Sequence, residues 1–344
     1  MRWMKCLAKT ARPADLRRVG LTRAKHAAIA FFFTLASTAF AQVVTLRSQT
    51  NVVLIPALVK DADGGIVYGL GADDFMVEDN GVAQPARLDE APEGQPISLV
   101  IAIQTGRRAS YEFPRMQGLK TMLEPLFAPG TARVALVEFD SQIKLARNFT
   151  KDAALISDDL TTLQPGDGGA ATLDALAYSV DLLKQEPPER ERVVLLISET
   201  RDHGSKAKVD EVVAAIGQSN ALVYALAFSP GLSNILDTGR GTNKNEMNAS
   251  PDLLAPLVMA VQGMKKNVPS TVAAMTGGEY QLFATRKKFE VRMTDFSNHL
   301  HSRYMLSITP KNPHAGLHNL RVRLKNPQGS TVLARSSYWA EAAK

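Results

Sequence analysis

The chain has 344 residues, of which 45% are hydrophobic and 22% charged, enough for one large or two ordinary globular domains. Its formal net charge is +6, but residues 1–41 hold eight Lys or Arg and one Asp, so the remainder carries 32 basic and 33 acidic residues. A remainder with a net charge of −1 argues against binding to nucleic acid, which usually requires a basic face.

Residues 1–41 have the order of a secretory signal peptide. Basic residues precede an apolar stretch over residues 27–39, and an Ala-Phe-Ala cleavage motif ends at Ala41. The alternative is an uncleaved anchor, but the stretch is shorter than the ~20 residues that a membrane-spanning helix needs. We therefore expect cleavage and export to the periplasm or the extracellular space, with no transmembrane segment in the mature chain. The one cysteine, Cys6, lies in this segment, so the mature protein would contain no disulfide.

Residues 42–95 are predicted to form an N-terminal β segment. One strand is expected over residues 51–60 and another over residues 73–78, with turns rich in Asp and Gly between them. Asn80-Gly81 lies between short extended runs, which is a strong signal for a β-hairpin. A linker rich in Pro and Gly follows.

In residues 96–302, short apolar runs alternate with helical stretches. Strands are predicted over residues 97–103, 133–139, 143–149, 193–197, 221–228 and 280–283. Helices are predicted over residues 113–127, 151–163, 171–185, 209–218, 252–265, 270–275 and 288–300. Thr150 is the expected N-cap of the second helix, and residues 230–250 are expected to be a surface insertion. Such alternation implies right-handed βαβ crossovers and therefore an α/β fold, a doubly wound, mainly parallel sheet with helices on both faces.

Residues 303–344 return to a β pattern, with strands predicted over residues 304–308, 319–325 and 331–338. In the second of these strands Arg321, Arg323 and Lys325 alternate with apolar residues, as expected for a strand exposed on one face. Because β segments flank the α/β part on both sides, we expect residues 42–95 and 303–344 to pair into one β side sheet.

Several apolar runs and short motifs follow one another along the chain in a defined order. They are residues 53–59, Asp73-Asp74-Phe75, residues 78–81, residues 96–103, residues 133–139, Gly168-Gly169, residues 173–176, residues 193–197 and residues 304–308. On these residues the chain resembles a von Willebrand factor A (vWA) domain and, more closely, the exported VWFA-related family first described from Acidobacteria. The resemblance covers nearly all of the mature chain and implies a Rossmann-like doubly wound sheet.

The resemblance also implies a Mg²⁺-dependent adhesion site. The family's Asp-x-Ser-x-Ser motif falls on Gln104, Gly106 and Arg108, its Thr on Ala170 and its final Asp on Glu199. Mg²⁺ prefers octahedral oxygen ligands, and of these residues only Glu199 retains a carboxylate. An arginine would oppose a dication. We therefore expect a degenerate adhesion site that binds neither a metal nor another cofactor.

In open α/β sheets, ligands bind beyond the carboxyl ends of the central strands, which places a candidate site in the loops after residues 103 and 197. Arg107 and Arg108 could replace the cation there and bind an acidic partner group, since a guanidinium holds a carboxylate through two parallel hydrogen bonds. Alternatively, Glu199 neutralises the arginines, or they point into solvent. The predicted partner-binding residues are Gln104, Thr105, Gly106, Arg107, Arg108, Ala170, Ser198, Glu199 and Thr200.

These patterns predict an exported, non-catalytic protein–protein interaction module of the adhesion type, whose protein partner the sequence does not identify. One alternative is a hydrolase that uses Asp202, His203 and Glu199, although no serine or cysteine nucleophile is marked beside them. Another is a scaffold in an envelope complex that uses residues 230–250 or the β segments. Two histidine pairs are predicted to be structural rather than metal ligands: His299 with His301, and His314 with His318.

Overall fold

The computed structural model describes residues 52–89, 95–127, 130–228, 255–311 and 313–341 of the protein. Two of the sequence-based expectations, the signal peptide over residues 1–41 and the insertion over residues 230–250, lie outside the described residues. Of the helices that are described, none has the length and apolar character needed to cross a membrane.

The described residues contain fourteen strands and seven α-helices. The strands are β1 Val53–Lys60, β2 Phe75–Asp79, β3 Val82–Gln84, β4 Arg87–Asp89, β5 Ile97–Gln104, β6 Arg133–Phe139, β7 Ile143–Thr150, β8 Glu191–Ser198, β9 Ala221–Ala227, β10 Tyr280–Leu282, β11 Tyr304–Ile308, β12 Gly316–Leu324, β13 Thr331–Ala334 and β14 Ser337–Ala340. The helices are α1 Leu119–Phe127, α2 Ala153–Thr161, α3 Thr172–Lys184, α4 Val209–Gln218, α5 Ala255–Lys266, α6 Val268–Thr276 and α7 Arg286–Leu300.

A six-stranded sheet in the order β10-β9-β8-β5-β6-β7 forms the centre of the α/β domain. Its neighbouring strands are parallel, except that β7 runs antiparallel to β6. Every residue of β5 and β9 is buried, as the continuous apolar runs require when helices cover both faces. The prediction of a doubly wound, mainly parallel sheet is confirmed.

Two apolar cores lie on opposite faces of this sheet. On one face, Val100 and Val194 pack with residues of α3, α4, α5 and α6. On the other face, Leu99 and Leu195 pack with residues of α1, α2 and α7. Successive side chains of β5 and β8 thus enter opposite cores. A shift of either strand by one residue would exchange the two sets of side chains, so the packing fixes the register between the strands.

The β segments form two side sheets, in the orders β13-β1-β11-β4 and β14-β12-β2-β3. Each sheet combines N-terminal with C-terminal strands, and the two share one apolar core that includes Ile55, Val77 and Leu306. The expectation that both segments pair is confirmed, but the expectation of a single sheet is wrong. The strand predicted over residues 331–338 is broken at Arg335, whose backbone passes between β13 in one sheet and β14 in the other.

Two local predictions are corrected. The helix expected over residues 113–127 is divided into a 3-10 turn, Phe113–Met116, and α1, because Gly118 between them has a φ of 95°. Thr150 does not cap α2, since it still pairs with β6. Asp152 is the N-cap instead, and its Oδ1 accepts a hydrogen bond of 2.8 Å from the Ala154 N–H.

Candidate functional site

The candidate site lies on the crest, defined here as the loops of residues 104–108, 139–142, 165–171 and 199–208 at the carboxyl ends of β5, β6 and β8. Gln104, the last residue of β5, is fully buried beneath these loops. Its Oε1 accepts a hydrogen bond of 2.8 Å from the Glu199 N–H, and its Nε2 donates to Glu199 Oε1 at 3.3 Å and to the Gly106 carbonyl at 3.2 Å. This amide therefore fastens the loop after β8 to the loop after β5.

Arg107 and Glu199 form an ion pair at the centre of the crest. Arg107 Nε lies 3.1 Å from Glu199 Oε2, and the side chains are 34% and 9% exposed, respectively. The Arg107 backbone has a φ of 56°, and its N–H donates to the Asp167 carbonyl at 2.6 Å. The side chain makes no other hydrogen bond with the described residues, so its two terminal Nη groups remain available.

Arg108 is exposed and has no ion-pair partner within the described ranges. The two arginines therefore differ in their charge partners. Glu199 neutralises Arg107, as the internal alternative required, whereas Arg108 points into solvent.

Three further predicted residues, Thr105, Ser198 and Thr200, hold the loops of the crest or the strand end beneath them through hydrogen bonds within the protein. The buried Thr105 hydroxyl donates to the Phe139 carbonyl at 3.2 Å, and the buried Ser198 hydroxyl donates to the Glu199 carbonyl at 2.9 Å. The Thr200 carbonyl accepts a bond of 2.9 Å from the Val268 N–H at the start of α6. These hydroxyls hold the loops rather than line an open surface.

Ala170 and Gly106 contribute through their backbones. Ala170 is buried and exchanges two backbone hydrogen bonds of 2.8 Å with His203, which ties the loop before α3 to the loop after β8. Gly106 is packed so closely that a Cβ there would lie 2.0 Å from the Gly169 carbonyl oxygen and 2.7 Å from the Asp140 Cβ. Only glycine fits that position.

Two carboxylates of the crest, Asp140 and Asp167, were missed by the sequence-based prediction. Asp140 accepts hydrogen bonds from the N–H groups of Gln142, at 2.8 Å, and Asp167, at 3.1 Å. Asp167 accepts from the hydroxyl and N–H of Ser141 and from the Gly169 N–H. These bonds, the Ser141 hydroxyl foremost, hold the pKa of Asp167 below its usual value. The available signal was the position of Asp140 directly after a predicted strand.

Comparison with known proteins decides the family of the α/β part. Residues 105–201 match the model of the von Willebrand factor type A domain. The chain contains a vWA domain. The matched residues run from the loop after β5 into the loop after β8, so they include most of the crest and end before residues 202–208.

Several solved structures resemble the vWA domain at low sequence identity. The protein BatB of Bacteroides thetaiotaomicron is 14% identical over 59% of this chain and 98% of its own, with a TM-score of 0.39. The PilB minor pilin of Streptococcus sanguinis is 13% identical over 63% of this chain and 64% of its own, with a TM-score of 0.41. The vWF domain of the type V pili tip protein Mfa5 of Porphyromonas gingivalis is 18% identical over 31% of this chain, with a TM-score of 0.29, and the chain spans only 38% of it. No curated protein matches the chain in sequence.

The residues at the vWA ligand positions do not fit a Mg²⁺ ion. Gly106 and Ala170 supply no side-chain oxygen, and the one carboxylate of the set, Glu199, already holds the Arg107 guanidinium at 3.1 Å. Within the described ranges, no group of three or more His, Asp or Glu side chains is arranged to hold a metal.

The residues of the hydrolase alternative do not form a catalytic arrangement. Asp202 Oδ1 accepts from the Leu173 N–H at 3.1 Å and from the Ser205 hydroxyl at 2.5 Å, so this carboxylate serves the first turn of α3. His203 Nε2 lies 4.0 Å from Glu199 Oε2, and in the described part of the chain no hydrogen bond joins it to Asp202. The predicted structural histidines also have local partners, since His299 Nδ1 lies 2.7 Å from Glu279 Oε1 and His318 Nδ1 lies 2.8 Å from Asp79 Oδ1.

Proposed function

We propose that the vWA domain is a non-catalytic protein-binding module of an exported protein, and that its crest holds an acidic side chain of a protein partner through Arg107 and Arg108. One observation carries this proposal. The Arg107 guanidinium is fixed through Nε by Glu199, which leaves the Nη1 and Nη2 edge without a partner among the described residues.

A guanidinium held in this way is ready to bind a carboxylate. The ion pair with Glu199 restricts the Arg107 side chain before the partner arrives, so less side-chain freedom is lost on binding. A carboxylate can accept two parallel hydrogen bonds from the two Nη groups. Glu199 offsets the charge of Arg107, so the exposed Arg108 supplies the net positive charge that attracts the partner.

With Arg107 in the place of the cation, the site needs no metal to bind a carboxylate. In a metal-dependent adhesion site, a partner carboxylate completes the coordination of a divalent cation. Here Arg107 pairs with Glu199, the residue at the position of the family's final Asp, and would accept the same kind of partner group. We therefore propose that the adhesion site is degenerate in its ligands but retains its preference for acidic partners.

A hydrolase is less well supported, because the Asp202 carboxylate is engaged by α3 and Ser205. The scaffold alternative depends partly on residues 230–250, which lie outside the described residues. Export is part of the proposal and rests on the order of basic, apolar and small residues in residues 1–41. N-terminal sequencing of protein recovered from the periplasm or medium is expected to begin at or near Gln42; recovery only of the full-length, membrane-bound chain would contradict export.

The binding proposal is tested with an array of short peptides that each carry one Asp or Glu, beside the same peptides with Asn or Gln. We expect the purified protein to select peptides of the acidic set, and Arg108→Ala to weaken the selected peptide by about tenfold without changing the melting temperature. Arg321→Ala, which removes an exposed arginine of the side sheets, is the matched control and is expected to leave affinity unchanged. Equal binding of acid and amide peptides would overturn the proposal.

A further inference from the structure

Beyond the Arg107–Glu199 pair, the crest is charged asymmetrically. On the side of β6 lie Asp140 and Asp167, whose carboxylates accept hydrogen bonds from the crest's own loops. On the side of β8, Asp202 is held by the Leu173 N–H and the Ser205 hydroxyl, and Arg201 beside it is exposed and forms no ion pair with any described residue. The β8 side therefore offers an anionic partner at Arg108 a further exposed cation, whereas the β6 side offers two carboxylates.

The end of α5 extends this positive side. The Val268 N–H donates to the Thr200 carbonyl at 2.9 Å, which places the turn between α5 and α6 against the loop after β8. Lys265 and Lys266 form the last turn of α5 directly before this contact, and both are exposed. Neither has an ion-pair partner in the described part of the chain.

Exposed cations on the flanks of the same domain are often paired. Examples are Lys144 with Glu138, Lys184 with Asp181, and Arg286 with Glu290. At the N-terminus of α4, the neighbouring element, Lys208 and Glu211 likewise offset each other. We define the basic rim as Arg108, Arg201, Lys265 and Lys266, four exposed cations on the loops after β5 and β8 and at the end of α5 that have no ion-pair partner among the described residues.

We propose that the partner binds as an extended acidic segment with several carboxylates, which runs from Arg108 along the basic rim to Lys265 and Lys266. This inference rests on the proposed function, which requires only one carboxylate at Arg107 and Arg108. In an extended segment, alternate side chains share one face and lie about 7 Å apart, so acidic residues at every second position all face the same surface of the protein. Arg201 and the two lysines then add to affinity mainly through long-range attraction.

Lys265 and Lys266 have one competing role. Cations in the last turn of a helix stabilise it by interacting with the unpaired carbonyls and the helix dipole. That role predicts a loss of stability on substitution and no effect on binding, so both quantities are measured on each variant.

The test uses three synthetic peptides: one with a single Glu, one with four Glu alternating with Ser, and one with four Gln in the same places. Affinities are measured by fluorescence anisotropy. We expect Lys265→Glu/Lys266→Glu and Arg201→Glu each to weaken the four-Glu peptide by about tenfold, and to change the single-Glu peptide by less than about threefold. The effect is expected to disappear at about 500 mM salt, because the rim is exposed. Arg321→Glu/Lys325→Glu is the matched control. It changes the charge by the same amount as the double lysine variant, on two exposed residues, one in β12 and one directly after it.

The outcomes separate the two proposals. If Arg108→Ala weakens both Glu peptides while the Arg201 and Lys265/Lys266 variants bind the four-Glu peptide as the wild type does, the extended segment is wrong and the single-carboxylate site stands. If the control weakens the four-Glu peptide as strongly as the rim variants do, the attraction is general and the rim is wrong. If no Glu peptide is preferred over the Gln peptide, both proposals are overturned.

Discussion

Arg107 occupies a backbone conformation that its residue type rarely adopts. Its φ of 56° lies in the left-handed region, which costs a residue other than glycine about 1–2 kcal/mol. The hydrogen bond to the Asp167 carbonyl and the ion pair with Glu199 offset that cost. Strain held by surrounding contacts is common where a side chain must point in one functional direction.

Two substitutions at Arg107 separate the ion pair from the backbone strain. Arg107→Ala loses the ion pair but keeps the strained φ, whereas Arg107→Gly loses the ion pair and relieves the strain. We expect the alanine variant to be less stable than the glycine variant by about 1 kcal/mol in urea unfolding. Arg108→Ala, with no ion pair to lose, is expected to stay within about 0.5 kcal/mol of wild type. A fully stable Arg107→Ala variant would show that the ion pair contributes nothing to the fold.

Gly106 makes the closest approach of the crest. Gly106→Ala places a methyl group 2.0 Å from the Gly169 carbonyl oxygen, so the two loops must separate. We expect this variant to lose about 3 kcal/mol or more of unfolding free energy. Gly168→Ala is the matched control, because a Cβ there meets no atom within 4 Å, and it is expected to change stability by less than about 0.5 kcal/mol. Equal stability of the two variants would contradict the crest geometry.

The residues at the metal positions give a prediction for divalent cations. A ligand that binds only the native state stabilises by about 2.7 kcal/mol at a hundred times its dissociation constant. Because Glu199 is engaged by Arg107, millimolar Mg²⁺ or Mn²⁺ is expected to leave the melting temperature unchanged. A rise of several degrees that EDTA reverses would show that the crest does bind a cation.

At the scale of elements, the sequence predicts the helices and strands whose bounds depend on a local pattern. It does not predict breaks and strand pairings that depend on residues distant in the chain. The strand over residues 133–139 and the helix over residues 209–218 are predicted to the residue, because their burial pattern is complete within the segment. The division at Gly118 was missed, since the positive φ of one glycine is not visible in helical periodicity. The partition of the β segments into two sheets occurs at Arg335, whose guanidinium donates to carbonyls as far away in the chain as that of Gly217.

For the candidate site, the sequence predicted the position but not the pairing of its side chains. Its position followed from the apolar strand β5, since eight of the nine predicted residues lie on the crest and the ninth, Ser198, ends β8 directly beneath it. The pairing of Glu199 with Arg107 rather than Arg108 could not be predicted, because it depends on the left-handed turn at Arg107. The inward orientation of the Thr105 and Ser198 hydroxyls likewise depends on loop geometry.

Strands β2, β12 and β14 meet at a buried ion pair that makes stability depend on pH. His318 Nδ1 donates to Asp79 Oδ1 at 2.8 Å and His318 Nε2 donates to the His314 carbonyl at 2.9 Å, while the Tyr338 hydroxyl donates to Asp79 Oδ2. Burial lowers the pKa of His318, but the bonds to Asp79 and His314 and the Asp79 charge raise it above its ordinary value of 6.5. Burial, with the nearby His318, lowers the pKa of His314.

The opposite pKa shifts of His318 and His314 predict that the free energy of unfolding falls on both sides of a stability maximum, on an alkaline arm set by His318 and an acidic arm set by His314. His318 binds its proton more tightly in the folded state, so its contribution is complete below pH 6.5 and is lost as the pH rises through its raised pKa. His314 binds its proton less tightly when folded, so stability falls as the pH drops below 6.5. Urea unfolding across this range is expected to lose the alkaline arm in His318→Gln and the acidic arm in His314→Gln. Profiles unchanged from wild type would contradict the assignment.

At the scale of the whole molecule, buried charges join the side sheets to the vWA domain. Arg335 donates to the carbonyls of Gly217 and Ser219 at the end of α4, and burial lowers the pKa of its guanidinium to about 10. Lys60 of β1 lies 2.8 Å from Glu279, the residue before β10. Burial raises the pKa of Glu279, but His299, Arg303 and Lys60 together lower it to about 2.

Removing the Arg335 guanidinium leaves several buried carbonyls without a donor. We expect Arg335→Met, which keeps much of the side-chain volume, to lose more than about 3 kcal/mol of unfolding free energy. Arg321→Met, at an exposed position of β12, is the control and is expected to be near neutral. Limited proteolysis of the Arg335 variant is expected to release the side sheets first; cleavage equal to wild type would show that other contacts hold the two parts together.

The interleaving of both chain ends in the side sheets has a consequence for the timing of folding. Val53 pairs with Ile308, and β2 pairs with β12, so the first strands made must wait for the last. At about 5–20 residues per second, synthesis alone imposes a delay on the order of ten seconds to a minute. During that interval β1 and β2 lack their partners on β11 and β12, and such strand edges invite pairing with other chains. We expect the vWA domain to fold as a contiguous nucleus first, and closure of the side sheets to be the slow, aggregation-sensitive step.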